Sequence, residues 1–439
     1  MISRRLFLGS TAAFALGQAP LQAATARPSA QDVVQGWYGL ALELVRHTAT
    51  YSPPVASRTF AYLGVVVFEA VASGGGALQS LAGQLPGLKP LPLRAANATY
   101  DLPNVVHGAL IAAIELLFSH TGPTGQRAIK ATARKLEGDL AVGLSPSRVK
   151  RSRAYGQAIA QHVLAWSQDD GGAVVDNMGF PQSFETGDKP GYWKPTSVIR
   201  MQQAPLLPKW GENRTFVLVN GGACPLPPPP AYSEDKTSEF YKQALEVYDT
   251  VQNLSQEQRL VARFWSDDPM LSPTPPGHWM FIALDILKDH NASIEDHADL
   301  LARLGMALSD GFVACWNAKF EYNLLRPVTY IKKVIDKTWE PILITPPFPE
   351  YPSGHSTQSG AAATVLTQFF GGNFKFEDKT HVREKLPVRV FASFWDAAKE
   401  AGNSRLYGGI HFRAAVEQGL EQGRCVGIAV NGLRTRRTA

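Results

Sequence analysis

Apolar residues recur at intervals of three and four through most of the chain, with small or polar residues between them, the spacing of a helix with one buried face. On this pattern helices are expected over Gln31–Thr48, Val55–Ser73, Val105–Ser119, Gly125–Leu144 and Pro146–Gln168. More follow over Ser238–Gln252, Ser255–Trp265, Gly277–Lys288, Ser293–Tyr322, Ser356–Phe370, Val390–Ala401 and Phe412–Leu433. Two starts carry their own signal: Ser29 precedes Asp32 by three, as in a capping box, and Ser145 precedes Pro146 at a first helical position. Alternating strand patterns are scarce. Residues 169–232 turn instead to Gly, Pro and aromatic residues and end in a proline-rich run from Pro225 to Pro230, which no helix interior accepts. A second loop-rich stretch, 326–353, holds Pro327, Pro341, Pro346, Pro347, Pro349 and Pro352. The expectation is an all-α protein of helical bundles with long Pro/Gly-rich loops. An N-terminal helical region spans 27–235 and includes the 169–232 excursion, and a C-terminal helical region spans 236–439. The excursion is a candidate cover for a site or for an interface between two copies of the chain.

Composition narrows the class. With 439 residues, 45% hydrophobic and 18% charged, the chain is an ordinary globular protein rather than a disordered, collagen-like or disulfide-scaffold one. The formal charge is +5, and loss of Arg4 and Arg5 with a leader would lower it to about +3. That excess does not suggest nucleic acid. The leader is read from the first residues: Ser3-Arg4-Arg5-Leu6-Phe7-Leu8, an apolar stretch and Ala24-Thr25-Ala26 as a cleavage site resemble a twin-arginine export signal over 1–26. Export to the periplasm or beyond is the expectation, with no membrane span, since no later stretch gives 18 uninterrupted apolar residues. Cys224, Cys315 and Cys425 allow at most one bridge, and buried free thiols are expected.

Three segments of the last third gather cations and hydrogen-bonding groups at loop–helix junctions. Lys319 and Arg326 lie seven apart, two helical turns, and are expected on one helix face that Pro327 stops. Pro352-Ser353-Gly354-His355-Ser356 leads into a small-residue helix, so Ser353 reads as an N-cap and the helix start as an anion site, with His355 placed to exchange protons. Ser404-Arg405 and His411 bracket a flexible Gly408-Gly409 turn before another helix. Together these supply three cations, a hydroxyl, a backbone N–H and two imidazoles, a set suited to a tetrahedral or trigonal-bipyramidal oxyanion.

The order Lys-x6-Arg-Pro, Pro-Ser-Gly-His and Ser-Arg-x5-His resembles the tripartite signature of vanadium-dependent haloperoxidases and the type 2 phosphatidic acid phosphatase superfamily. The resemblance implies a vanadium chloroperoxidase-like helical fold and vanadate, or phosphate in the same site. By that likeness Lys319, Arg326 and Arg405 would neutralise the equatorial oxygens, while Ser353 and Gly354 hydrogen-bond to them. His411 would be the axial ligand of vanadium, or the phosphorylated nucleophile of a phosphatase, and His355 the acid–base partner at the opposite apex. Lys319 would polarise the bound peroxide that a halide attacks. Trp316 and Phe348 look like halide-pocket residues of the fungal-type enzymes, and Asp268 matches an aspartate that pairs with the arginine corresponding to Arg326. One departure stands out: the family often has Asp four residues after the last histidine, and this chain has Ala415. Glu417 would lie on another helix face, so a backbone carbonyl is the expected orienting group for His411. The reading is a vanadate-dependent haloperoxidase using hydrogen peroxide, halide and a small organic substrate. An acid phosphatase with a phosphohistidine intermediate is its rival.

Overall fold

In the computed structural model, which describes residues 26–196, 204–268 and 270–437, α-helices account for nearly every regular element. The expected leader falls outside these residues apart from its last position. Five helices come first: α1 (Ala30–Arg46), α2 (Pro53–Ala72), α3 (Leu102–Leu117), α4 (Pro123–Ala141) and α5 (Pro146–Trp166). After the excursion come α6 (Glu239–Gln252), α7 (Gln256–Phe264), α8 (Thr274–Asp289), α9 (Ile294–Tyr322), α10 (Pro327–Val334), α11 (Gly354–Phe370), α12 (Phe394–Tyr407) and α13 (Arg413–Asn431). Every expected helix has a counterpart. Ser29 and Asp32 form the capping box of α1, and Pro146 occupies the first turn of α5.

Three local expectations are corrected. The helix stop at Pro327 is a helix start: α9 ends at Asn323 in a left-handed conformation (φ 46°), and Pro327 opens α10 behind Arg326. Proline's fixed φ and missing N–H suit a first helical turn, so the helix begins there. Val390 is not helical but lies in a hairpin of β1 (Phe376–Asp378) and β2 (Arg389–Phe391), with Phe376 opposite Phe391. The following helix α12 waits for its cap, Ser393, which accepts from the Asp396 N–H, and then runs on to Tyr407. Arg405 therefore sits in the helical last turn of α12, just ahead of the Gly408-Gly409 turn. Finally, Cys224 and Cys425 form a disulfide, leaving Cys315 as the buried free thiol. Their separation of 201 positions is closed because the excursion lies against α13, which no spacing rule reveals.

Helix-on-helix contact is close where small residues face each other. The whole of α2 is long and apolar enough by composition to cross a membrane, yet it is buried against its neighbours, chiefly α9. A Cβ on Gly64 would lie 2.6 Å from the Leu301 carbonyl oxygen, and one on Gly305 2.8 Å from that of Phe60. The same device joins α11 to α13. A Cβ on Gly423 would meet the Thr357 carbonyl oxygen at 2.0 Å, and one on Gly360 that of Leu420 at 2.4 Å. Filling such a contact costs about 1–3 kcal/mol through overpacking. This approach sets the start of α11, with Ser353 to Ser356, beside the start of α13, just after His411. One apolar cluster draws on both halves of the chain, from Val33 of α1 to Val430 of α13.

The described part of the excursion runs over α9 on the side of the motifs. Asp310 in α9 accepts the backbone N–H groups of Phe216, Val217 and Leu218 at 2.7, 2.8 and 3.0 Å. Burial pushes this carboxyl up to about 6 against those three donors. Farther along, Leu206 donates to the Pro347 carbonyl, and Tyr351 and Tyr322 donate to the carbonyls of Pro227 and Leu226.

Candidate active site

Lys319, Arg326, Ser353, Arg405 and His411 are all buried, although two lie in helices, α9 and α12, and three at the junctions that precede α10, α11 and α13. Lys319 occupies the last turn of α9. Its ammonium donates to the Pro349 and Glu350 carbonyls at 3.0 and 2.9 Å and also to Pro352, so it clamps the loop that leads into α11. Arg326, the residue before α10, donates from Nε to the Phe348 carbonyl at 2.9 Å and from Nη1 to that of Ile410 at 2.9 Å. Its Nη1 also lies 3.2 Å from His411 Nε2, while its buried Nη2 has no partner among the described residues. Arg405 donates to the Trp265 carbonyl at 2.6 Å and to Ser404 Oγ at 2.9 Å.

Ser353 caps α11 as expected, its hydroxyl accepting from the Ser356 N–H. Its own N–H donates to the Ala415 carbonyl at 3.0 Å, tying α11 to α13. The first turn of α11, which carries His355, thereby stands beside the start of α13 that follows His411. Gly354, His355 and Phe348 are partly exposed and form the open edge of the site, whereas His355 Nε2 is itself buried and unpartnered. Trp316 is fully buried, donates to the Leu206 carbonyl at 3.1 Å and packs on Phe348 with ring centres 4.9 Å apart. The Phe348 ring in turn lies 5.2 Å from Lys319 Nζ and 5.0 Å from Arg326 Cζ, within cation–π reach of both.

Burial sets the protonation pattern. Burial, with Arg326 and Lys319 beside it, holds His411 well below the usual histidine value, and burial together with Arg405 does the same to His355. Both imidazoles are neutral at pH 7. Burial lowers Lys319 to about 8 and Arg326 and Arg405 to about 10, so the three cations remain charged.

Two sequence expectations fail here. Arg326 does not pair with Asp268: the carboxylate in its field is Glu350, and Asp268, with Asp267, acts on Arg405 instead. The arginines differ because α12 carries Arg405 toward the Trp265–Asp268 turn. Nor is a backbone carbonyl on His411 Nδ1. Glu350 Oε1 lies there at 2.8 Å and also accepts the Phe412 N–H at 2.8 Å. Burial pushes the Glu350 carboxyl up to about 7, opposed by Arg326 and Lys319. Sequence reasoning missed this residue, although a signal existed: from Pro341 to Gly354, Glu350 is the one charged residue in a proline-rich apolar stretch. Glu417 is exposed, as its helix face implies.

A second missed group lies behind Arg405 and His355. The His278 ring nitrogens face Asp267 at 3.0 Å and Asp378 at 2.7 Å, with all three side chains buried. His381 Nε2 approaches Asp267 at 3.3 Å without hydrogen-bond geometry. Trp265 stacks flat on His278 with ring centres 4.4 Å apart, and its carbonyl receives Arg405, so this group underlies one wall of the site.

Comparison with known proteins agrees on one fold. Residues 299–437 match the family model for the VCPO second helical-bundle domain. Vanadium chloroperoxidase of Curvularia inaequalis is 23% identical over 211 residues, which take in 34% of this chain and 35% of that one. The match thus reaches about a third of the length of this curated relative. A solved structure described as the first bacterial vanadium-dependent iodoperoxidase is 38% identical, with a TM-score of 0.85 over 93% of this chain and 98% of that one. An apo-type bacterial vanadium-dependent chloroperoxidase shares the fold at 16% identity and a TM-score of 0.66, covering 86% of this chain and 93% of its own.

Proposed function

The chain belongs to the vanadium-dependent haloperoxidases, and on that premise we propose that it holds vanadate among the residues around His411 and uses hydrogen peroxide to oxidise a halide. The observation that carries this reading is a pair of buried polar atoms beside His411 that have no partner among the described residues: Arg326 Nη2 and His355 Nε2. An unpaired buried group costs about 1–3 kcal/mol, so two such groups beside one imidazole ask for a ligand. A small oxyanion satisfies them. Lys319, Arg326 and Arg405 supply charge for its oxygens, and Ser353 and the Gly354 N–H supply hydrogen bonds. His411 Nε2 supplies a neutral imidazole lone pair for vanadium.

When bound, vanadium(V) acts as a Lewis acid that activates hydrogen peroxide for attack by halide without changing its own oxidation state. The protein's part is proton handling and charge. Neutral His355, at the open edge of the site, accepts a proton from arriving peroxide and returns it to the departing oxygen. The overall change consumes one peroxide, one halide and one proton and yields hypohalous acid and water, which halogenates small organic nucleophiles. Phe348 and Trp316 keep the approach apolar beside Lys319, so a weakly hydrated anion is favoured there. Iodide is the halide to try first, being the most readily oxidised and the one named for the 38%-identical relative. The Cys224–Cys425 disulfide supports export of the chain through its twin-arginine-type leader, since such bonds persist in oxidising compartments.

One paired assay tests the reading. Protein reconstituted with orthovanadate is given peroxide, iodide or bromide and a halogen acceptor, while unloaded protein is given p-nitrophenyl phosphate. Halogenation that depends on vanadate is expected. Phosphate ester hydrolysis without vanadate, with no halogenation when it is added, would overturn the proposal in favour of a phosphatase.

A further inference from the structure

His411 needs a fixed tautomer to serve as a ligand, and the position from which the family's aspartate would supply it is Ala415. We infer that Glu350 has taken over this task from a different element, as a positioning residue that holds the proton of His411 on Nδ1 and keeps Nε2 unprotonated, with its lone pair turned to Arg326 and to the oxyanion's central atom. The inference rests on the vanadate reading above for its consequence, and on geometry alone for the tautomer.

Two independent contacts fix that tautomer. Glu350 Oε1 already accepts the Phe412 N–H at 2.8 Å, so it presents an acceptor, and the ring nitrogen 2.8 Å away must donate to it. On the other side, Arg326 Nη1 lies 3.2 Å from Nε2, and a guanidinium has only protons to offer, so Nε2 carries the lone pair. Glu350 is itself held: its backbone N–H donates to the Leu324 carbonyl at 2.9 Å, its carbonyl receives Lys319, and its side chain is fully buried. Glu350, Phe412 and Ala415 line one small cavity, so the substituting carboxylate and the position of the missing one adjoin the same space. A carboxylate is needed somewhere near this point, and the Pro-rich loop delivers it where α13 does not.

Charge and orientation make opposite predictions, which is what renders the inference testable. Removing a negative group beside three cations would by Coulomb attraction alone tighten the binding of a multiply charged oxyanion. Loss of orientation would weaken it by about 10- to 100-fold, as for other groups that orient a ligating histidine. Glu350→Ala is therefore expected to bind orthovanadate about 10- to 100-fold more weakly in equilibrium dialysis. Glu350→Gln, which keeps an oxygen on Nδ1 while losing the charge, is expected to lose about threefold or less. Adding Ala415→Asp to Glu350→Ala returns a carboxylate to the helix and is expected to recover most of the affinity. Nitrogen-15 spectra of histidine-labelled, unloaded protein read the tautomer without any vanadate: His411 should be protonated at Nδ1 in wild type and shift toward a mixture in Glu350→Ala. A wild-type Nε2–H tautomer, a Glu350→Ala spectrum unchanged from wild type, or Gln binding as weakly as Ala would overturn the assignment. Failure of wild type to bind vanadate would overturn the functional reading instead, and the spectra would still decide the role of Glu350.

Discussion

Two buried polar groups stand side by side in this molecule, and they differ in what remains open. Around His278 the charges close on themselves: one imidazole lies between Asp267 and Asp378, each within 3.0 Å, and the stack of Trp265 seals its face. Burial pulls His278 down, but the two carboxylates outweigh it and raise its pKa to about 10, so a proton on His278 offsets part of their charge. Around His411 the cations outnumber the carboxylates, both imidazoles are neutral, and Arg326 Nη2 and His355 Nε2 end without partners. Burial is alike in the two groups, and the sign of the charge is not. What separates them is the charge around the unpartnered atoms, not residue type or depth: His381 Nε2 ends 3.3 Å from a carboxylate, whereas Arg326 Nη2 and His355 Nε2 end among cations.

That distinction is broken first by His411→Ala. If the open group is the ligand site, this variant keeps its fold by circular dichroism and loses measurable vanadate binding and haloperoxidase activity together. The closed group answers in stability instead. His278→Gln leaves two buried carboxylates facing each other, and a loss of about 3–5 kcal/mol in denaturant unfolding is expected. Its pH dependence has a definite sign. A histidine whose folded pKa is raised to about 10 adds stability that is complete below about 6.5 and is lost as pH climbs through 10. His278 holds Asp267 and Asp378 below the ordinary carboxylate range against their burial, so their share is present above about pH 4 and is lost as pH falls. The gap between wild type and His278→Gln should be widest near pH 6 and should narrow by pH 10. A constant gap would show that the proton on His278 does not offset the charge of the two carboxylates.

Smaller effects sharpen the same contrast. Replacing Cys224 and Cys425 together by Ser should cost about 2–4 kcal/mol in stability while leaving vanadate affinity within about twofold, because the bond fastens the excursion and not the open group. Arg326→Lys keeps the charge but loses the fork that reaches the Phe348 and Ile410 carbonyls at once, and should weaken vanadate about 10- to 100-fold. If Lys served equally well at 326, charge alone would account for the open group and its unpaired nitrogen would lose its meaning.

The residues of the open group were legible in the sequence because they sit in three short segments whose spacing and helix-start chemistry can be read locally. Ser353 shows this well: a serine before a run of small residues reads as a cap, and its hydroxyl does accept the Ser356 N–H. Pro327 shows the limit of the same logic, since proline marks a helix boundary without saying which side the helix is on. What was not legible depends on parts distant along the chain. Glu350 meets His411 across 61 positions, and His278 meets Asp378 across 100. Cys224 reaches Cys425 only because the excursion folds back over α13. The 390–401 periodicity gave a helix with its start misplaced, because Phe391 pairs across the hairpin with Phe376 and the Ser393 cap then sets the true beginning.

The central claim is that the unpaired buried groups around His411 hold one oxyanion, and the amount of vanadium bound per chain tests it most directly. Equilibrium dialysis of the unloaded protein against orthovanadate should give one vanadium per chain, displaced by excess phosphate and absent in His411→Ala. Folded wild-type protein that binds none, or a His411→Ala variant that binds as much as wild type, would contradict the account.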